Sequence, residues 1–165
     1  MDIDIYTSVF IAHKSKLGTS AYTLHCKGRP IADGVFSEDN STIIKAHLEG
    51  LVDALKCVKE QMETDDVLTI KVLFRDTGDS SFTDSIRLSI AQCWMAVRDG
   101  TPLKEHLRNN EYKQKVIDVL LEIKSLVPML TFSVRPERQD HPLFELQRKA
   151  MVQLWHAETK ARASK

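Results

Sequence analysis

The chain lacks net charge, long apolar runs and any cysteine pattern, and each absence removes a class of function. Its 23 basic residues are matched by 23 acidic ones. Non-specific nucleic-acid affinity comes mainly from neutralised phosphates, so a dedicated polyelectrolyte binder with its basic excess is not expected. No apolar run approaches the roughly 18 residues of a membrane helix, and a membrane partner is not expected. Cys26, Cys57 and Cys93 are odd in number and lack metal-ligand spacing. They read as reduced thiols filling small core positions, which fits a cytoplasmic protein. The acidic, strand-like start Met1-Asp2-Ile3-Asp4 has none of the marks of a signal peptide. Repeats, low-complexity tracts and long linkers are also missing, so residues 1–165 are expected to form one domain, with 160–165 as a frayed tail.

What is present is an ordinary globular composition, 42% hydrophobic and 28% charged, long enough to bury a core. Ile3, Ile5, Val9 and Ile11 approximate the period-two pattern of a strand, and Tyr22, Leu24 and Cys26 continue it in a second. Lys27-Gly28-Arg29-Pro30 is a turn signal, and Ile31 to Phe36 make a third strand. Asp39-Asn40-Ser41-Thr42 supplies N-cap oxygens, after which Ile44, Leu48, Leu51, Leu55 and Val58 form a helical stripe. A β-rich run from Val67 to Phe74 follows this helix, as a parallel strand reached by a crossover would. Helical patterns over Phe82–Val97 and Glu111–Leu126 precede a fifth strand, Met129 to Val134. A last helix begins at His141-Pro142 and carries Leu146, Ala150, Leu154 and Ala157. Trp94 and Trp155 lie in helical segments and are expected to pack in the core.

The order β-β-β-α-β-α-α-β-α, with Gly18-Thr19-Ser20-Ala21-Tyr22 opening the second strand and Ala54-Leu55 late in the first helix, resembles the ribonuclease H-like superfamily. The resemblance covers nearly the whole chain. It implies an α/β fold: a five-stranded mixed sheet in which β1-β2-β3 form an antiparallel meander, β4 and β5 are parallel additions, and helices cover both faces. It also implies two-metal phosphodiester cleavage, in which four carboxylates hold paired Mg or Mn ions.

The residues at the corresponding positions depart from that pattern. The family's first-strand Ile-Tyr-Thr-Asp-Gly-Ser is here Ile5-Tyr6-Thr7-Ser8-Val9-Phe10, so Ser8 replaces the central aspartate. Asp4 shares its strand face but lies roughly 13 Å away at about 3.3 Å per residue. The first-helix glutamate, seven residues before Ala-Leu, becomes His47. Glu49 lies two residues on, about 200° around the helix. After the fourth strand, Asp79-Ser80-Ser81-Phe82 fits the family's local pattern, whereas Asp76 fits its distance from the strand end. At the last helix, Glu145 or Phe144 falls at the fourth carboxylate position.

The resemblance places nucleic-acid contacts near Lys14, Lys16, Lys27, Arg29 and Lys45. With Ser8 and His47 in place of acids, the expectation is a ribonuclease H-like domain that has lost nuclease activity. It would need no cofactor, and would bind a protein partner or an RNA–DNA hybrid. The alternative is an active Mg- or Mn-dependent nuclease cleaving RNA in such hybrids, its rearranged site using Asp76, Asp79 and Glu145 with Glu49 or Asp4. Two remoter readings are a Ser8–His47–Asp76/Asp79 nucleophilic triad and a zinc site of His47, Asp79 and His141.

Overall fold

A computed structural model describes residues 1–12, 14–39, 41–62, 67–76, 78–104, 108–137 and 141–163, the side chains at 141, 144 and 161 excepted. Three strands open the chain: β1 (Asp2–Ile11), β2 (Gly18–Cys26) and β3 (Arg29–Glu38). The β2–β3 turn places Lys27 at φ 53° and Gly28 at φ 75°. Both central residues are therefore left-handed, as a two-residue hairpin turn of type I′ requires. Helix α1 (Ile43–Gln61) follows, then β4 (Val67–Arg75), α2 (Ser80–Asp99), α3 (Asn110–Leu126), β5 (Met129–Glu137) and α4 (His141–Ala163).

The strand order is β3-β2-β1-β4-β5. β1–β2 and β2–β3 pair antiparallel, whereas β1–β4 and β4–β5 pair parallel, giving the mixed sheet expected from the element order. Strand alternation divides β1 between two cores. Ile3 and Ile5 pack with Leu48, Leu51, Leu55 and Phe74 on the α1 side. Tyr6 joins Ala21, Leu73, Leu143, Leu146 and Ala150 on the α4 side. Each fully buried leucine of the α1 stripe contributes on the order of 2 kcal/mol by leaving water.

Caps fix the helix starts. The Thr42 side chain accepts a hydrogen bond from the Lys45 amide at 3.2 Å, satisfying an amide that has no partner within the helix. Gly100 closes α2 in the left-handed conformation, φ 68°, which lacks a Cβ penalty only for glycine. Helix α4 is continuous to Ala163, so residues 160–163 are helical where a frayed tail was expected. The Thr159 hydroxyl donates to the Trp155 carbonyl at 2.9 Å along it. No helix among the described residues is long and apolar enough to cross a membrane.

Candidate functional site

Ser8, His47, Asp76 and Asp79 lie toward the end of the sheet where β1 and β4 finish. The pairing Thr7↔Phe74 puts Thr7 on the α1 side, and the neighbouring Ser8 therefore faces the α4 side, beside Ala21. Ser8 is buried, 1% exposed. His47 belongs to the buried face of α1 and meets Phe74 edge-on, with ring centroids 5.9 Å apart. Complete burial without a counter-charge lowers its pKa to about 4, so the imidazole is neutral at pH 7. Its Nδ1 has no hydrogen-bond partner among the described residues. Ser8 and His47 thus project from opposite faces of the sheet, and no hydrogen bond joins them.

Asp76 stands one residue beyond β4, its amide bonded to the Glu137 carbonyl of β5 at 2.9 Å. Its Oδ1 accepts from the Gly78 amide at 2.9 Å and from the Thr83 hydroxyl at 3.1 Å. Asp79 is the N-cap of α2, accepting from the Ser81 amide at 3.0 Å. Glu145 does not turn to the β1–β4 seam. It is exposed beside Val35 of β3 and Lys149, on the far edge of the sheet. Phe144 and His141 have side chains outside the described residues, and with them the zinc reading that needed His141.

This donor set does not fit paired magnesium ions. Two of the positions marked by the resemblance offer a buried serine hydroxyl and a neutral imidazole, whereas paired magnesium ions call for hard, charged oxygens. The two aspartates already organise the α2 start, and Glu145 is elsewhere. Among the described residues no three His, Cys, Asp or Glu side chains converge as a metal would require. The Ser8–His47 triad lacks its first hydrogen bond.

The basic residues do not form one surface. Lys14 and Lys16 sit in the β1–β2 connection, whereas Lys27 and Arg29 lie at the β2–β3 hairpin. The nine residues of β2 separate them, roughly 30 Å at about 3.3 Å per residue. Lys45 is engaged inside the protein, 3.4 Å from Glu38 and 5.0 Å above the Tyr112 ring, and these partners raise its pKa, Tyr112 first. Trp94 packs against Phe132, as expected of a core residue, at 5.7 Å. Trp155 does not: it is 64% exposed.

A second cluster went unnoticed in the sequence. A groove of about 600 Å³ opens between β3, α1 and α3, with Phe36, Val52 and Val119 as its apolar lining. Glu38, Glu49, Asp53 and Asp118 line it with Lys56 and Lys115. Burial, then the adjoining Glu38 carboxylate, raises Glu49 to about 7. Glu38 Oε2 is buried and no donor among the described residues reaches it. The only sequence signal was the spacing of Glu49, Val52, Asp53 and Lys56, one face of α1 at helical steps.

No protein-family model and no curated protein sequence matches the chain. Solved structures do. The RNase H1 of the halophilic archaeon Halobacterium salinarum NRC-1 aligns with a TM-score of 0.60 at 12% identity, covering 93% of this chain and 99% of its own. LC11-RNase H1 in complex with an RNA/DNA hybrid gives 0.63 at 17% identity, with the same coverages of 93% and 99%. The N-terminal RNase H domain of rv2228c from Mycobacterium tuberculosis, solved as a maltose-binding-protein fusion, gives 0.64 at 10% identity, covering 95% and 98%. Sheet order, strand directions and these alignments agree: the chain has a ribonuclease H-like fold.

Proposed function

We propose that this chain is a ribonuclease H-like domain that has lost two-metal nuclease activity and serves as a binding module. The observation that carries the reading is the pair of substitutions where the fold would hold acids. Ser8 is a buried hydroxyl, and His47 is a buried, neutral ring wedged against Phe74. Neither offers magnesium an anionic oxygen near pH 7. The balanced charge and the dispersal of Lys14, Lys16, Lys27, Arg29 and Lys45 over two ends of the sheet favour a protein partner over nucleic acid. Free Cys26, Cys57 and Cys93 fit a reducing compartment such as the cytoplasm.

Asp76 and Asp79, both near the family's position after β4, keep the active-nuclease alternative in the test. Purified protein is mixed with a labelled RNA–DNA hybrid, the ligand held by LC11-RNase H1, with Mg2+ or Mn2+. No cleavage above the metal-only control is expected. Cleavage that disappears in Asp76→Asn would establish the rearranged nuclease instead.

A further inference from the structure

We propose that the free edge of β3 is a docking site for an extended segment of a partner protein, which adds to the sheet as a sixth strand and carries basic side chains at alternate positions.

Among the described residues β3 pairs only with β2 and ends the sheet on that side. A grooved surface lies beside it on both faces. On the α1 face, Phe36 and Glu38 open into the acidic groove with Glu49 and Asp118. On the α4 face, Val35 borders a smaller concavity of about 370 Å³ with Val152, Arg148 and Lys149. Side chains of an added strand point alternately to the two faces of a sheet, and such strands take affinity from main-chain bonds and specificity from side-chain pockets. Every second residue of the ligand would therefore enter the acidic groove, and the residues between would lie over Val35 and Val152.

The chemistry of the acidic groove selects the charge. Its four carboxylates outnumber its two lysines, of which Lys115 also lies 5.3 Å over the Tyr112 ring. Lys45 already serves Glu38 Oε1 at 3.4 Å, which leaves Oε2 buried without a donor. A lysine or arginine entering beside Glu38 and Glu49 brings a donor to these two carboxyls. On the other face, Asp33 is bonded to Lys149 and Ser37 to Gln153. These bonds hold α4 against β3 and keep the second wall in place.

The inference rests on the reading of the chain as a binding module, and one experiment separates the two. Isotope-labelled protein is titrated at pH 7 with a capped octapeptide of alternating lysine and valine. Amide shifts are expected to gather on residues 31–38 and on the neighbouring α1 and α4 faces. Asp118→Lys is expected to weaken binding about tenfold, and an alternating glutamate–valine peptide to bind at least tenfold more weakly. Two further peptides carry N-methyl groups on the lysines or on the valines. An added strand pairs through alternate amides, so one of these should fail to bind. Shifts centred away from β3, equal binding of the glutamate peptide, or full binding of both methylated peptides would overturn the proposal. So would β3 shifts produced by an RNA–DNA hybrid and not by the peptide. Hybrid cleavage by protein that still binds the peptide would overturn the loss of nuclease activity and leave the β3 site standing. A protein that neither cleaves nor binds the peptide overturns the β3 site alone.

Discussion

His47 meets the Phe74 ring edge-on, its plane turned 72° and its centroid 5.9 Å away. This contact makes the imidazole part of the core between α1 and the sheet. Burial lowers its pKa from 6.5 to about 4, so the unfolded chain binds the extra proton between those values. Its contribution to stability is therefore complete above about pH 6.5 and lost as pH falls through 4. At about 1.4 kcal/mol per pH unit it amounts to on the order of 3 kcal/mol. Replacing His47 by leucine is expected to remove this contribution, so that stability in urea titrations falls as pH rises from 4.5 to 7 under the opposing contribution of Glu49. Stability at pH 7 should not fall below that of the unsubstituted protein, because the unpartnered Nδ1 goes with the ring. A loss of several kcal/mol at pH 7 would show a polar role for the imidazole.

Glu49 acts with the opposite sign in an overlapping window. Its folded pKa is raised to about 7, by burial first and by Glu38 second, with Lys45 and Lys115 pulling it back. The folded protein thus holds a proton that the unfolded chain releases at its ordinary value of 4.5. Its contribution is complete below that value and lost as pH rises through 7. Carboxyl NMR should show a Glu49 midpoint near 7. Glu38→Gln should lower it without restoring the ordinary value, since burial remains.

Asp79 can be tested as a cap and as a metal ligand at once. Asp79→Ala should cost about 1 kcal/mol by releasing the Ser81 amide. Asp79→Ser keeps a capping oxygen and removes the carboxylate, so stability should return to within a few tenths of a kcal/mol. Calorimetry with Mn2+ should give the same heats for all three proteins. Metal binding by the aspartate form alone would contradict the capping role.

Gly50 lies directly over Ser20, and a Cβ there would collide with the Ser20 hydroxyl. Gly50→Ala should cost about 1–3 kcal/mol, as other overpacked sites do. Ser20→Ala removes the nearest atom but leaves its Cβ at 3.1 Å, so the double variant should recover part of the loss. Thermal unfolding of the four proteins forms the cycle that checks it.

The sheet was legible because its signals are local. Lys27-Gly28 marks the hairpin, the cap region ending at Thr42 starts α1, and the leucine stripe of that helix names its buried face. The C-terminal helix was read short: residues 158–163, Glu-Thr-Lys-Ala-Arg-Ala, offer no glycine or proline to stop it. Trp155 was misjudged for a geometric reason. It lies five residues beyond the buried Ala150, about 140° around the helix, and so turns to solvent. Ser8 and His47, at positions where the family resemblance implies acids, could be read directly from the sequence. The Glu38–Glu49 pair could not, because its members come from different elements and only the folded sheet edge brings them together.

The central place of β1 bears on how the chain assembles. Its antiparallel partner β2 follows after a short connection, but its parallel partner β4 begins only at Val67, beyond the whole of α1. Thr69 donates to the Met1 carbonyl across that span at 2.9 Å. During synthesis the three-strand meander therefore emerges with β1 as an uncovered edge, and an open strand edge invites pairing with other chains. Closing it waits on a long-range contact, the slow kind in folding. The amphipathic helix α1, made in that interval, can shelter Ile3 and Ile5 before β4 arrives.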